Sequence, residues 1–270
     1  MNDTGIRIAD PAAPAEVLAI GTEVVIGRIQ DTNSSWLAQR LTEAGARVER
    51  ITAVADDPGL LENVWRDAIC RRASLVLATG GLGPTPDDLT VEVAAAVAGV
   101  EVIQHPAVIA SYRRRRELGE SDPLPPHLYK MSAVPSGSTV FENGPGWAPG
   151  FAIRVDETVL ACMPGPPSEM QWLWENALGS LAARWFGGRT ESARVLVTMF
   201  ESQVSPILGL VMDRHSNSYL KAYVALGSRH VGLPVDVIVR RESGGSALSD
   251  VMDTLRILVE GAGAEIRPWP

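Results

Sequence analysis

SLVLA (74–78) runs straight into TGGLGPTPDDLT (79–90), and this junction decides the fold. The first five residues are a short apolar run of the kind a buried strand needs. Leu89 to Val97, rich in alanine and valine, reads as a packed helix. Between them Gly80, Gly81 and Gly83 let backbone amides approach a ligand that a Cβ would keep away. Amides at a helix start carry partial positive charge, which suits a phosphate or the polar edge of a pterin. Asp87 and Asp88 follow at the rim, so groups for an anion stand beside carboxylates for a divalent metal. Aspartates near a helix start also serve as caps, so the turn has a purely local reading as well. Its spacing is neither that of a Rossmann turn nor that of a Walker loop, which requires Lys-Ser/Thr after the glycines.

The preceding residues repeat the same alternation. EVLAI (16–20) is a strand ending at Gly21, and Thr32 to Ala44 carries Trp36, Leu37 and Leu41 at helical spacing. Thr32 or Asn33 is available as its cap and Gly45 as its stop. Arg47 to Val54 alternates like a strand, and Gly59 to Arg71 is a second amphipathic helix. Strand and helix in turn predict an α/β domain, a mostly parallel sheet covered on both faces. Ligands of such sheets lie beyond the carboxyl ends of the strands. The segments after Ile20, Val54 and Ala78 all reach that edge. Further on, a helix over Ala107 to Leu118 precedes a Pro- and Gly-rich stretch ending in NGPGWAPGF (143–151). Phe151 to Val155 and Thr158 to Met163 form a hairpin turning at Asp156 and Glu157. PGPPSEM (164–170) then opens a helix through Trp185, with Gly165 for close approach and Ser168 and Glu169 for capping.

A composition shift at Phe186-Gly187-Gly188 separates a domain of residues 15–187 from a small α+β domain of residues 188–270; residues 1–14 read as a loose tail. The second domain reads as strands Ala193 to Phe200, Tyr219 to Leu226 and Val231 to Arg241, with helices Gln203 to Arg214 and Ala247 to Gly261. A net charge of −8 argues against a general nucleic-acid binder, which needs clustered Lys and Arg. The basic run Arg113 to Arg116 reads as a solvated helix face, with contact to an anionic ligand or a partner subunit as the alternative. Cys70 and Cys162 lie in apolar surroundings and read as buried free thiols, too few for a zinc cluster. No secretory signal or membrane span is legible, so the expected compartment is the cytoplasm. No histidine stands out as a base: His105 and His127 flank prolines, and His215 and His230 fall in the second domain.

Five motifs occur in one order: GTEVVIGRIQDTN (21–33), VADD (54–57), TGGLGPTPDDLT (79–90), NGPGWAPGF (143–151) and PGPPSEM (164–170). In that order they resemble the CinA family, whose amino-terminal domain has the three-layer molybdopterin-binding fold of MogA- and MoeA-type proteins. The resemblance covers about Glu16 to Trp185, and the residues after about Thr190 resemble the small linker domain that follows. The further amidase domain of full-length CinA proteins has no counterpart before Pro270, so amidase activity is not expected.

The resemblance implies metal-dependent hydrolysis of the diphosphate in ADP-ribose or a related dinucleotide, with Mg, Mn or Co as the ion. The molybdopterin relatives imply an alternative, in which the same pocket binds a pterin such as molybdopterin and supports its adenylylation or metal insertion. Asp88 falls on the acidic position after the glycine turn, as metal ligand or orienter of water, and Asp56 is the acid after the second strand, facing Asp88. Asp87 is shared with CinA proteins and not with MogA-like ones; Glu23 and Asp31 bracket the first loop as further candidate metal ligands. Gly80, Gly81 and Gly83 would cradle phosphates, Thr85 would add a hydroxyl, and Gly165 and Ser168 would close the opposite side. Asn33 would bond a base or phosphate, or cap its helix, and Lys130 matches a family lysine suited to the leaving phosphate. The expected partners are a small nucleotide or pterin and further copies of the chain, as a dimer, with no nucleic acid and no membrane. Two departures bear on the site: Met131 and Ser132 replace the family's glutamine and alanine, and NGPGWAPG replaces NPVGTAPG, placing Trp147 near the ligand, to stack a base or pterin or to fill a disused pocket. A third reading keeps the fold as a ligand-binding scaffold without turnover.

Overall fold

The computed structural model describes residues 6–119, 121–187, 190–224, 232–240 and 244–269. The chain divides between residues 188 and 189 into two compact units. The first contains, in order, β1 (Ala15–Ile20), α1 (Thr22–Val25), α2 (Thr32–Glu43), β2 (Val48–Val54), α3 (Pro58–Cys70), β3 (Leu75–Thr79), α4 (Thr90–Ala98), β4 (Val102–Gln104), α5 (Pro106–Arg115), α6 (Pro126–Met131), β5 (Ala133–Pro135), β6 (Thr139–Phe141), β7 (Gly150–Val155), β8 (Thr158–Met163), α7 (Pro167–Leu173) and α8 (Gly179–Trp185). A π-helical turn, Trp174–Leu178, joins the last two helices where the sequence predicts one continuous helix.

Six strands form one sheet in the order β2-β1-β3-β8-β7-β6, parallel from β2 to β8 and antiparallel beyond. Alternation along each strand sorts side chains into two cores. Val17, Leu75, Leu77 and Ala161 face Leu37 and Leu41 of α2 and Met170 and Leu173 of α7. Leu18, Val76, Ala78 and Leu160 face Leu61 and Trp65 of α3 and Val93 and Ala94 of α4. This is the predicted three-layer α/β architecture. Burying a side chain such as Leu37 or Leu41 contributes about 1.5–3 kcal/mol each. The register aligns Ile20 with Val54, Ala19 with Thr79 and Thr79 with Met163, so four parallel strands end at one edge. The chain runs from β1 to β2 on one side and then to β3 on the other, which makes the β1/β3 boundary a topological switch point.

Two local expectations are corrected. Residues 6–14 are not loose: Ile8 is buried against the core and the Ile6 carbonyl accepts from Trp185 Nε1 at 3.2 Å. Cys70 is exposed because it ends α3 on the solvent side; Cys162 is buried in β8, where desolvation pushes its thiol up and out of reach of ionisation. The short β4, β5 and β6, α1 and α6 were invisible to periodicity, being three to six residues long.

The second unit runs β9 (Thr190–Val197), α9 (Glu201–Arg214), β10 (Ser218–Ala222), β11 (Leu233–Arg240), α10 (Leu248–Gly261) and β12 (Ile266–Pro268). Its antiparallel sheet has the order β10-β11-β9-β12, the split βαβ arrangement. Val195, Val235, Val237 and Val239 pack on Val204, Val211, Val251 and Leu255. Residues 225, 226, 231 and 241 of the predicted strands lie outside the described residues, as does His230. His215 is structural: its ring nitrogens meet Ser246 Oγ at 2.6 Å and Thr254 Oγ1 at 2.8 Å. Among the described residues no helix is long and apolar enough to cross a membrane.

Candidate functional site

A cavity of about 570 Å3 lies where the four parallel strands end. Gly21 and Glu23 after β1, Asp31 and Asn33 at the start of α2, Asp56 after β2, residues 80–84 with Asp87 and Asp88 after β3, Trp147, and residues 164–167 with Glu169 after β8 line it. Its size is that of sites that enclose a nucleotide-sized ligand. Six of the lining residues are carboxylic acids (Glu23, Asp31, Asp56, Asp87, Asp88, Glu169), and no Lys, Arg or His lines it among the described residues.

The glycines of the turn are required first by the fold. Gly80 has φ +111° and its Cβ would overlap the carbonyl oxygen of Ile20; Gly81 has φ +65° and its Cβ would overlap Thr90 Oγ1. The turn is tied at both ends: Gly80 N donates to Met163 O (3.0 Å), Thr90 Oγ1 to Gly80 O (2.9 Å) and Thr90 N to Gly81 O (3.1 Å). Ligand approach is a consequence of this closeness. Among the described residues, the amides of Gly81, Leu82 and Gly83 find no acceptor within the chain, and all three residues line the cavity. Unpaired donors in a concave site are what an anion fills.

Thr85 organises the two aspartates. Its amide donates to Asp88 Oδ2 at 2.8 Å, and its hydroxyl lies 2.6 Å from the same oxygen and closer still to Asp87 Oδ1. One hydroxyl proton is thus shared between two carboxylates, and the hydroxyl expected to meet a phosphate is engaged within the turn. Asp88 Oδ1 has no hydrogen-bond partner among the described residues. Lys130 does not line the cavity; its Nζ donates to Thr85 O and, at 3.0 Å, to Asp88 O, bracing the turn from behind. The Thr85 hydroxyl foremost, then Asp87's own backbone and the Lys130 charge, hold the Asp87 carboxyl below the usual carboxylate range. A lowered pKa adds stability that is complete above the unfolded-state value and is lost as pH falls through the folded-state value. Asp87→Asn is therefore expected to melt below the wild type at neutral pH and to converge with it in acid, as thermal unfolding across pH will show.

Three of the other four carboxylates, Asp56, Asp31 and Glu169, have visible structural partners, whereas Glu23 lines the cavity with no side-chain partner among the described residues. Asp56 Oδ2 accepts from Thr22 N at 2.7 Å while Thr22 Oγ1 accepts from Asp56 N at 3.1 Å, so Asp56 staples the loop after β1 to the end of β2. Asp31, and not Thr32 or Asn33, caps α2 by accepting from Ser34 N at 2.9 Å. Asn33 reaches across the cleft to Gly165 O (2.8 Å) and Thr79 Oγ1 (3.3 Å), joining the start of α2 to the end of β3 and to the turn before α7. Ser168 is exposed and outside the cavity lining; Glu169 takes the place expected for it. Glu169 Oε2 accepts from Asn143 Nδ2 at 2.6 Å and so ties α7 to the loop that carries Trp147. Sequence reasoning assigned Glu169 only capping chemistry, and its acidic place in a turn with Gly165 was the signal available. Trp147 lines the cavity, with Arg115 and Arg116 guanidiniums 4.1 and 4.9 Å from its ring centre. Arg115 also donates to Gly146 O at 2.6 Å, so the basic run is partly a brace for this loop and not wholly a solvated face.

Among the described residues no three His, Cys, Asp or Glu side chains gather into an all-protein metal cage. The paired Asp87 and Asp88 fit a different kind of ion, one held by one or two carboxylates that completes its shell with water and phosphate oxygens.

Residues 16–183 match the family described as "Probable molybdopterin binding domain". A protein from Pyrobaculum arsenaticum is 30% identical over 259 residues, covering 93% of this chain and 97% of its own length. A CinA-like protein from Anaeromyxobacter sp. (strain Fw109-5) is 38% identical over 206 residues, 75% of this chain and 49% of its own. The chain thus spans about half the length of the CinA-like relatives it matches. The solved structure of the protein CinA, of unknown function, from Thermoplasma acidophilum is 31% identical, with a TM-score of 0.58 over 64% of this chain and 99% of that one. By its sequence match, its sheet and its relatives, the chain belongs to the molybdopterin-binding-domain family, on the CinA-like branch.

Proposed function

We propose that the first unit binds the diphosphate of a nucleotide over the glycine turn and hydrolyses that anhydride with a divalent ion, Mg, Mn or Co, with ADP-ribose as the substrate assigned first. The observation that carries this reading is the pairing, among the described residues, of three acceptor-less amides with six carboxylates and no cationic side chain in one cavity. A diphosphate meets donors at the amides but repulsion from the acids, so it enters together with a cation. Asp87 would hold the ion directly, and Asp88 would face the water in its shell. When bound, such an ion neutralises the diphosphate and lowers the pKa of a coordinated water. The amides of Gly81 to Gly83 fix the phosphate oxygens and favour the charge that develops on them. Asp88, locked by the Thr85 amide, keeps Oδ1 free to take a proton from the attacking water. Cleavage of the P–O bond then gives AMP and ribose 5-phosphate. Asp56 and Lys130 act on the loops and not on the ligand.

Calorimetric titration with the methylene-bridged analogue of ADP-ribose tests the binding half. Affinity should rise about 10- to 100-fold when magnesium is present; equal affinity with and without metal would contradict the reading. The matched family's description favours a second reading, molybdopterin binding, to which the family resemblance adds adenylylation of the bound pterin. Its signature is turnover that requires both a pterin and ATP.

A further inference from the structure

The four-stranded sheet of the second unit has two unlike faces. Val195, Val197, Val235, Val237 and Val239 point toward α9 and α10 and are buried with them. Alternation sends Arg194 of β9, Tyr219 and Lys221 of β10, Asp236 and Arg240 of β11 and Arg267 of β12 to the opposite face. There Tyr219 is 52% exposed and Trp269, directly after β12, is 40% exposed. Arg194, Lys221, Arg240 and Arg267 are exposed as well.

The middle of this face is ordered by its own contacts. Arg194 pairs with Asp236 through Nε and, at 2.8 Å, through Nη2. Its guanidinium carbon lies 5.7 Å from the ring centre of Tyr223 and 5.4 Å from that of Trp269. Nη1 of Arg194 keeps its donors, and the side chains of Lys221 and Arg240 have no partner among the described residues. The acids Asp236 and Glu265 are each engaged by an arginine, Arg194 and Arg267. The whole-chain charge of −8 belongs to residues 1–188, since residues 189–270 contain nine Lys and Arg against nine Asp and Glu. The expectation of no nucleic-acid partner, drawn from the whole chain, therefore does not extend to this face.

We infer that this face docks single-stranded nucleic acid, with bases stacked on Tyr219 and Trp269 and phosphates held by Lys221, Arg194 and Arg240. The two rings stand at opposite edges of the sheet, three strand spacings or about 14 Å apart. That span suits two or three nucleotides. Open rings beside unpaired cations match a strand that presents base faces and phosphates in alternation. A duplex hides its base faces in the stack, and an acidic protein surface offers charge alone. The inference concerns the second unit and does not depend on the diphosphate reading.

Fluorescence anisotropy of the full chain with labelled oligo-dT and oligo-U at low salt tests it. Saturable binding of either strand is expected, weakened about tenfold in Tyr219→Ala. Lys221→Ala should lower the salt slope by about 0.7, the loss of one phosphate contact. Arg256→Ala removes an exposed charge from α10, on the covered side of the sheet, and should bind as the wild type does. Tyr219, Lys221 and Arg256 are all exposed, so the variants should fold, which circular dichroism checks. Absence of saturable binding by both strands would overturn the inference, as would equal binding by Tyr219→Ala. A loss in Arg256→Ala as large as that in Lys221→Ala would also overturn it, by reducing the binding to general attraction. A wild-type dimer that Tyr219→Ala dissolves, seen by light scattering, would overturn it by giving the face to a second copy of the chain.

Discussion

Gly80→Ala should destabilise the first unit by about 4 kcal/mol or more, among the largest effects a single methyl group can have. The backbone at Gly80 has φ +111°, and the added Cβ would collide with the carbonyl oxygen of Ile20. Ile20 cannot move away, because β1 is paired on both sides within the sheet. Gly80 is also bonded to Met163 O and to Thr90 Oγ1, so the strain cannot be relieved by rotating one peptide. The matched control is Gly165→Ala. There the Cβ would lie 3.6 Å from Gly80 Cα, an ordinary contact, and the change should stay within about 0.5 kcal/mol. Urea unfolding separates the two. A Gly80→Ala protein with the wild-type midpoint would show that the turn is not wedged as described.

The second large effect falls on Asp88. Replacement by alanine removes the acceptor of both the Thr85 amide and hydroxyl, and it removes the carboxylate oxygen left open toward the cavity. Turnover of a diphosphate substrate should drop about 100- to 1000-fold, chiefly in kcat. The fold should survive, because Asp88 is half-buried at the rim and Lys130 still braces Thr85 O. Asp56→Ala should instead act through the loop it staples to Thr22, raising KM more than it lowers kcat. If Asp56→Ala were the more damaging to kcat, the roles assigned to the two acids would be reversed.

The layers were legible because the central strands are nearly continuous apolar runs, β2 alternates and the helices are periodic: EVLAI and SLVLA fall within a residue of β1 and β3. The position of the cavity followed from the same alternation, since parallel strands gather their loops at one edge. Partnerships within that edge were not legible. Asp56 meets Thr22, Asn143 meets Glu169, and Lys130 meets the carbonyls of Thr85 and Asp88, each across 26 residues or more. Such pairs depend on tertiary register and leave no mark in local spacing. The glycines were read as room for a ligand, whereas Gly80 and Gly81 make room for Ile20 and Thr90, and the open amides result. Arg115 looked solvated because a helix pattern does not reveal an indole arriving from a loop some 30 residues later, as Trp147 does.

The most direct measurement is product analysis. The full chain would be incubated with ADP-ribose and magnesium, manganese or cobalt, beside Asp88→Ala, with the nucleotides resolved by chromatography. AMP that forms only with metal and is nearly lost in the variant is the result expected of a cavity with acceptor-less amides, paired aspartates and, among the described residues, no cationic side chain. Folded protein that releases no AMP with any of the three metals would contradict the account.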